Sequence, residues 1–153
     1  MASVRVTHFV EASVREAETC WYETGRWPEW VDELQRVTAV DGDWPKPGSV
    51  VRWESGPAGR GRVTERVLEY EPLGGQTLEV DDDSIDGRQL ISFHPAPHGV
   101  ELELILEYRI KRRSPLTPLV DFLFVRRAMA ASLAKTLDRF ATVLGECRRH
   151  RLG

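Results

Sequence analysis

A few polar and aromatic side chains in otherwise apolar segments have types that could bind a ligand or move protons. His8, Trp53 and Tyr108 each lie two positions from a valine or leucine in a segment where apolar and polar residues alternate. If these segments are strands, the three side chains share a face with the apolar residues. On that face an imidazole, an indole or a phenol can orient a bound molecule, and it can equally be a hydrogen-bonded core group.

The segment 60–71 carries an ionisable residue on both of its faces. The two faces are Val63, Glu65, Val67 and Glu69 on one side, and Arg62, Thr64, Arg66, Leu68 and Tyr70 on the other. Whichever face is inside, Glu65 or Arg66 points into a region of low dielectric, which displaces its pKa and suits it to proton transfer. Exposure of Glu65 to solvent is the alternative.

Four further residues complete the predicted cavity lining. His94 ends a later segment, and its direction depends on whether residues 90 and 92 or residues 91 and 93 face inward. Trp30, Met129 and Leu133 add apolar surface, although Trp30 and Trp53 can also be explained by core packing.

Other chemistries find little support in the sequence, and we expect neither a metal nor a cofactor. The prolines between His94 and His98 hold a histidine pair on a loop that lacks a further ligand at metal-binding spacing. The acidic run 81–83 lacks the glycine and distal glutamate of a calcium loop, so a solvated strand end is expected. The glycine-rich segment 56–61 lacks the lysine of a phosphate-binding loop. Cys20 and Cys147 are too far apart in sequence to suggest a disulfide framework, and neither lies in a recognisable nucleophile motif.

Turn-forming residues divide the middle of the chain into segments of strand length. The predicted strands are 3–10, 34–40, 49–55, 60–71, 76–82, 88–94 and 100–111, and the turns between them include Asp86-Gly87 and 95–99. The connections between consecutive strands are short, which favours an antiparallel meander with one solvated face.

Three helices are predicted from capping and periodicity. Ser13 and Glu16 have capping-box spacing, and Trp27-Pro28-Glu29-Trp30 is typical of a short helical turn. After Pro118, with Thr117 as its cap, apolar residues recur every three or four positions, which predicts an amphipathic helix of about seven turns. We therefore expect one α+β domain over 1–153, a helix-grip fold whose seven-stranded curved antiparallel sheet wraps a long C-terminal helix. Because one helix cannot seal such a sheet, a cavity should lie between them.

The order of these features resembles the START/Bet v 1-like (SRPBCC) superfamily, specifically its polyketide cyclase/dehydrase-like branch. The resemblance rests on the helix start at 10–13, the 27–30 turn, the strand opening at 47–51, the strand end at 67–72 and the proline-started terminal helix. It implies a protein that binds a hydrophobic or aromatic small molecule, polyketide-, lipid- or quinone-like, in an internal cavity, with or without cyclase/dehydratase chemistry. In such relatives an apolar pocket folds the polyketone, and a few polar groups promote enolisation and loss of water.

A different interpretation is a membrane-surface or partner-binding module. Basic residues at 109–113 and at Arg126-Arg127 flank the apolar stretch 116–125, and such a pattern can dock on anionic lipid. A homodimer that buries the same patch is a variant of this idea.

The net charge of −3 and the absence of an aromatic-basic strand face argue against nucleic acid as a partner. The N-terminus lacks a signal-peptide pattern and no apolar run reaches membrane-spanning length, so we expect a cytoplasmic protein.

Overall fold

The computed structural model describes residues 1–57, 59–111 and 118–152 and contains one seven-stranded sheet. Its strand order is β1-β7-β6-β5-β4-β3-β2, and every neighbouring pair is antiparallel. The strands are β1 (Ala2–Val10), β2 (Leu34–Asp41), β3 (Val50–Ser55), β4 (Arg62–Glu71), β5 (Gly75–Asp81), β6 (Ile85–Ala96) and β7 (Gly99–Ile110). The curved sheet and the long helix that follows it confirm the predicted helix-grip fold.

The inner face of the sheet follows from the two-residue alternation along each strand. In β7, residues Val100, Leu102, Leu104, Leu106 and Tyr108 are all buried, whereas the residues between them are exposed or only partly buried. Pairing with β1 on one side and β6 on the other fixes the register of this strand. This strand therefore presents a continuous apolar surface to whatever covers the sheet.

Two predicted turns are placed differently in the structure. Asp86 and Gly87 lie inside β6, where Gly87 is opposite Tyr108, so the prediction of a turn there is wrong. A Cβ at Gly87 would lie 1.9 Å from the Glu107 carbonyl oxygen, so this glycine serves a close approach of β6 to β7. Pro95 and Ala96 also belong to β6, which leaves residues 97–98 as the turn.

The short helices begin where the capping signals predict. The Ser13 side chain accepts a hydrogen bond from the Glu16 N–H at 3.1 Å, and Glu16 accepts one from the Ser13 N–H at 3.0 Å, at the start of α1 (Val14–Trp21). A 3-10 turn (Thr24–Arg26) then leads into α2 (Trp27–Trp30). This part of the chain supplies three of the seven buried aromatic residues, Trp21, Trp27 and Trp30.

The terminal helix, α3 (Pro118–Leu152), contains 35 residues and is longer than the predicted seven turns. Pro118 is its first residue, and the predicted cap Thr117 lies outside the described residues. Leu133, Leu137, Phe140 and Leu144 contribute to its buried face, and Phe140 packs against both Trp21 and Trp30 at ring-centroid distances of 5.0 and 4.9 Å. A search of the described residues finds no helix with the length and hydropathy needed to cross a membrane.

Candidate functional site

A small cavity lies between the inner face of the sheet, α2 and α3. Its volume is about 30 Å³, which holds one or two water molecules. Pockets for drug-sized ligands occupy about 300–1,000 Å³, so the interior as it stands lacks the ligand-sized space expected from the sequence. Beside this cavity the rings of Trp21 and Trp30 pack against each other and against Phe140 of α3. The lining residues are Trp21, Trp27, Trp30, Val31, Asp32, Trp53, Arg60, Glu65, Leu78, Gln89, Leu104, Ser132, Leu133 and Thr136.

Glu65 is the buried acid of this cavity. It lies on β4 between Val63 and Val67, its neighbours on the inner face, and only 5% of its surface is exposed. Loss of hydration on burial raises the pKa of Glu65 to about 7, although the charge of Arg60 and the indole N–H of Trp53 oppose the rise. Near neutral pH this carboxyl can therefore both accept and donate a proton.

Arg60 is the cation of the same cavity, with 12% of its side chain exposed, and Asp82 holds it in place. Its Nε donates to Asp82 Oδ2 at 2.6 Å, and its guanidinium lies over the Trp53 ring, 5.4 Å from the centroid. The other carboxylate oxygen of Asp82 accepts the backbone N–H groups of Ser84 and Ile85. Asp82 is buried, so the expectation that residues 81–83 form a solvated strand end is wrong for this residue.

Three hydrogen-bond donors in the lining have no acceptor among the described residues. They are Trp30 Nε1, Trp53 Nε1 and Arg60 Nη2. The Trp53 N–H is near enough to the Glu65 carboxyl to favour its charged form, but it makes no hydrogen bond of normal geometry. Buried donors are nearly always paired, with protein or with water, so a group of three around one cavity indicates room for an acceptor there.

Asp32 closes the cavity on the side of α3. Its carboxylate accepts hydrogen bonds from Ser132 Oγ at 2.8 Å and Arg139 Nη1 at 3.2 Å, and its backbone N–H donates to Thr136 Oγ1 at 2.9 Å. These bonds join the segment after α2 to the middle of α3. We call Asp32, Ser132, Thr136 and Arg139 the Asp32 clasp.

The structure brings four of the nine sequence-predicted residues to the cavity: Trp30, Trp53, Glu65 and Leu133. His8 and Tyr108 face inward, His8 half-buried and Tyr108 fully buried with no hydrogen-bond partner for its hydroxyl among the described residues, but neither lines the cavity. Met129 is half-buried and packs against the core.

Arg66 and His94 lie on the outer face of the sheet, contrary to the predicted lining. On β4 the inner set is Val63, Glu65 and Val67, so Arg66 is exposed; a bulge after Val67 then turns Glu69 outward as well. On β6 the side chains of Ile91 and Phe93 are buried, which directs His94 to solvent, where it lies 3.2 Å from Glu103.

Sequence reasoning did not identify Arg60, Asp82 or Asp32. Arg60 lies in a loop, where side-chain direction does not follow a strand period. The spacing Asp82-x-Ser84, typical of an Asx turn, was the available signal for a structured aspartate. Asp32 accepts hydrogen bonds from residues about one hundred positions away, and no local sequence pattern predicts such a contact.

A family model described as "Polyketide cyclase / dehydrase and lipid transport" matches residues 1–145. The chain belongs to this family. The match confirms the resemblance seen in the sequence, including the polyketide cyclase/dehydrase-like branch. No curated protein sequence matches the chain.

Solved structures similar to this family member show the fold. The protein TTHA0849 from Thermus thermophilus has a TM-score of 0.81 at 15% identity, over 95% of this chain and 99% of that one. The di-domain ARO/CYC StfQ from the steffimycin biosynthetic pathway has a TM-score of 0.78 at 19% identity; the match covers 97% of this chain and 51% of StfQ. Norcoclaurine synthase from Thalictrum flavum, in complex with dopamine and hydroxybenzaldehyde, has a TM-score of 0.68 at 14% identity, over 95% and 87% of the two chains.

Proposed function

We propose that this protein binds a hydrophobic or aromatic small molecule, polyketide-, lipid- or quinone-like, in the cavity around Glu65. The observation that carries the proposal is the convergence of one buried carboxyl and three donors without acceptors, among the described residues, on a cavity walled by tryptophans. The family match and the polyketide-cyclase relative support it.

A ligand with a carbonyl or hydroxyl oxygen complements this lining. The oxygen would accept from Arg60 Nη2 and from the indole N–H of Trp30 or Trp53, which relieves the cost of leaving these buried donors unpaired. The faces of the same indoles would contact the flat apolar part of the ligand. Fatty ligands without a polar group would gain only the apolar contacts.

Entry of such a ligand requires the cavity to widen. The present space holds no more than water, and the walls best placed to move are the aromatic side chains on α1 and α2. These elements are short, whereas each strand is held by backbone pairing to its neighbours in the sheet. The proposal therefore includes an open state in which α2 and its tryptophans shift away from the sheet.

The same groups suit cyclase or dehydratase chemistry on a polyketone. Glu65 would take a proton from a carbon next to a carbonyl while Arg60 stabilises the charge on the enolate oxygen. The enolate carbon would then bond to a second carbonyl carbon of the ligand, and the alkoxide formed there would take the proton back from Glu65 to become a hydroxyl. Glu65 would next remove the second proton from the same nucleophilic carbon and deliver it to the hydroxyl as the carbon–oxygen bond breaks, so that water leaves and a carbon–carbon double bond forms. A pKa of about 7 for Glu65 suits both halves of this cycle.

The test is binding of defined probes to the full chain. We expect 1,8-dihydroxyanthraquinone at one hundred times its Kd to raise the Tm by about 5–10 °C, because a ligand that binds only the folded state stabilises it by about 2.7 kcal/mol. Trp53→Phe and Glu65→Gln should each weaken binding in isothermal calorimetry by about tenfold or more, because the first removes the indole N–H and the second replaces the ionisable carboxyl with a neutral amide. Arg66→Gln, on the outer face of the same strand, is the matched control and should bind as the wild type does.

Two results would count against this function. One is the absence of a Tm shift with hydroxyanthraquinones, naphthoquinones and oleate alike. The other is binding that Trp53→Phe, Glu65→Gln and Arg66→Gln leave equally strong, since the ligand would then lie elsewhere on the protein.

A second candidate function is contact with an anionic membrane surface through the first turns of α3. Leu123 and Phe124 are 51% and 73% exposed, and Arg126 and Arg127 are exposed beside them. Apolar side chains next to cations favour insertion among anionic headgroups. Vesicles of phosphatidylcholine with and without phosphatidylglycerol test this: we expect salt-sensitive co-sedimentation with the anionic vesicles only, reduced by Phe124→Ser. A dimer in solution that Phe124→Ser dissociates would instead show that the patch joins two copies.

A further inference from the structure

The two cysteines, 127 positions apart in the sequence, lie side by side in the structure. Cys20 is in the last turn of α1 and Cys147 is near the end of α3, and their Sγ atoms are 3.5 Å apart. Both thiols are free. The long return of α3 across α1 creates this contact, which the sequence spacing did not predict.

The two thiols have different surroundings. Cys20 is buried, with 1% of its surface exposed, and burial together with the neighbouring sulfur raises the pKa of Cys20 to about 12. Cys147 is half-buried and can be reached from solvent. Arg26 Nη1 donates to Cys147 Sγ at 2.6 Å, while the rest of its guanidinium pairs with Glu29. Reactive cysteines are characteristically accessible sulfurs next to a cation.

We propose that Cys147 and Cys20 form a peroxide-sensitive thiol pair, in which Cys147 reacts first and Cys20 completes a disulfide. The Cys147 thiolate attacks one oxygen of hydrogen peroxide, the O–O bond breaks, and the products are Cys147 sulfenic acid and hydroxide, which takes up the proton that Cys147 released. Cys20 sulfur then attacks the sulfenic sulfur, and the departing hydroxyl leaves as water with the Cys20 proton. Two thiols and one peroxide thus give one disulfide and two waters.

The geometry favours a bond within the chain over other fates of the sulfenic acid. Cys20 is the sulfur nearest to Cys147 and is shielded from solvent, so it can react with Cys147 but not with a large oxidant. The disulfide would join α1 to α3, the helix that the sheet grips. Closing a loop of this length restricts the unfolded chain, and we expect the oxidised protein to be more stable than the reduced one.

The experiment oxidises the reduced full chain with one equivalent of hydrogen peroxide. We expect the loss of both free thiols, a fall in intact mass of about 2 Da and a monomeric band on a non-reducing gel. The Tm should rise by about 5–10 °C and return to its starting value with dithiothreitol. Cys20→Ser should instead gain about 16 or 32 Da at Cys147, as sulfenic or sulfinic acid.

A matched pair of arginine variants tests the part played by Arg26. Arg26→Gln should slow the loss of thiols by about tenfold, because it removes the cation from Cys147. Arg15→Gln removes an exposed cation from α1 without touching either sulfur, and it should react at the wild-type rate. The proposed thiol pair would be contradicted if wild-type Cys147 gained oxygen while Cys20 stayed free, or if a disulfide-linked dimer formed. Equal rates of thiol loss in the two arginine variants would contradict the proposed role of Arg26 in the reaction of Cys147.

Discussion

At the scale of single residues, the cavity is governed by one cation shared between two carboxyl groups. Arg60 makes its direct ion pair with Asp82, at 2.6 Å, and Asp82 also accepts two backbone N–H groups. Glu65 receives only the more distant influence of the same charge, and it has no comparable set of donors among the described residues. Burial therefore leaves Glu65, with a pKa of about 7, able to exchange a proton near neutral pH.

The first prediction concerns Glu65→Gln and the dependence of stability on pH. The pKa of Glu65 is about 7 in the folded protein and about 4.5 when unfolded. Between these values the folded state holds the proton that the unfolded state has lost, so stability falls as pH rises and the loss is complete above pH 7. The difference between the two pKa values corresponds to about 3 kcal/mol. Glu65→Gln should abolish this loss.

Urea unfolding at pH 4.5, 6 and 8 measures the effect as the difference in unfolding free energy between variant and wild type. That difference should move in favour of Glu65→Gln by about 3 kcal/mol from pH 4.5 to pH 8. Glu69→Gln, on the same strand but exposed, should show a constant difference. A flat profile for Glu65→Gln as well would mean that the Glu65 pKa is not raised.

The sequence predicted that either Glu65 or Arg66 of β4 faces inward, but it did not show which of the two faces of the strand is the inner one. Both faces carried ionisable residues, and the choice was made by the positions of Val63 and Val67 in the packed interior. The prediction that His94 lines the cavity was wrong for the same reason, because the face on which its side chain lies depends on how β6 pairs with β7. Side-chain identity was readable from the sequence, whereas side-chain direction needed the register.

At the scale of elements, the approach of β6 to β7 depends on a residue with no side chain. Gly87 occupies a strand position where a Cβ would lie 1.9 Å from the Glu107 carbonyl oxygen and 2.8 Å from Tyr108 Cα. These are backbone atoms of the adjacent strand, so neither can move without breaking the pairing. The two strands form the longest pair in the sheet, with twelve partnered positions on each.

The second prediction is that Gly87→Ala destabilises the protein by more than about 2 kcal/mol, because the added methyl group must displace backbone atoms. Thermal unfolding should show a Tm several degrees lower. Gly25→Ala is the control, since a Cβ there meets nothing within 4 Å. An unchanged Tm for Gly87→Ala would indicate that the two strands can separate locally at no cost.

Most elements were predictable because local signals agreed with each other. The alternation in β7, the capping box at Ser13 and the proline at the start of α3 each have a direct physical cause. The start of β6 was not predictable from the sequence, because Asp86-Gly87 is a strong turn signal that tertiary packing overrides here. The length of α3 was underestimated because its last turns pack on α1 only in part, so their apolar period is weak.

At the scale of the whole molecule, the Asp32 clasp connects the segment between α2 and β2 to α3. It therefore restrains the shift of α2 that ligand entry requires. The contacts join residues about one hundred positions apart, so the clasp depends on the completed fold. It also forms one polar edge of a cavity whose other walls include four tryptophans.

The third prediction is that Asp32→Ala loosens this side of the cavity. The variant loses the hydrogen bonds from Ser132 and Arg139, which should lower the unfolding free energy by about 1–2 kcal/mol. Amide hydrogen exchange of residues 27–34 should become about tenfold faster. Asp138→Ala, which removes an exposed carboxylate from α3, should leave that exchange unchanged. Equal exchange rates in the two variants would show that the clasp does not hold α2.

The size of the cavity was the global property that the sequence could not supply. A curved sheet covered by a single long helix predicts a space between them, and both the sheet and the helix are present. How much of that space remains depends on the rotamers of Trp21, Trp30 and Phe140, which pack with ring centroids 4.6–5.0 Å apart. A sequence rich in tryptophan is equally compatible with indoles that contact a ligand and with indoles that occupy the cavity themselves.

The tryptophan wall has an optical consequence. Four of the five tryptophans line the cavity, and the ring centroid of the fifth, Trp44, lies 5.6 Å from that of Trp27. Nearly all ultraviolet-excited emission of this protein therefore originates within a few ångströms of the proposed binding site. Water admitted to the cavity would shift that emission to the red, and a quinone or other absorbing ligand would quench it. The occupancy of the cavity is thus visible in the native fluorescence, without an added label.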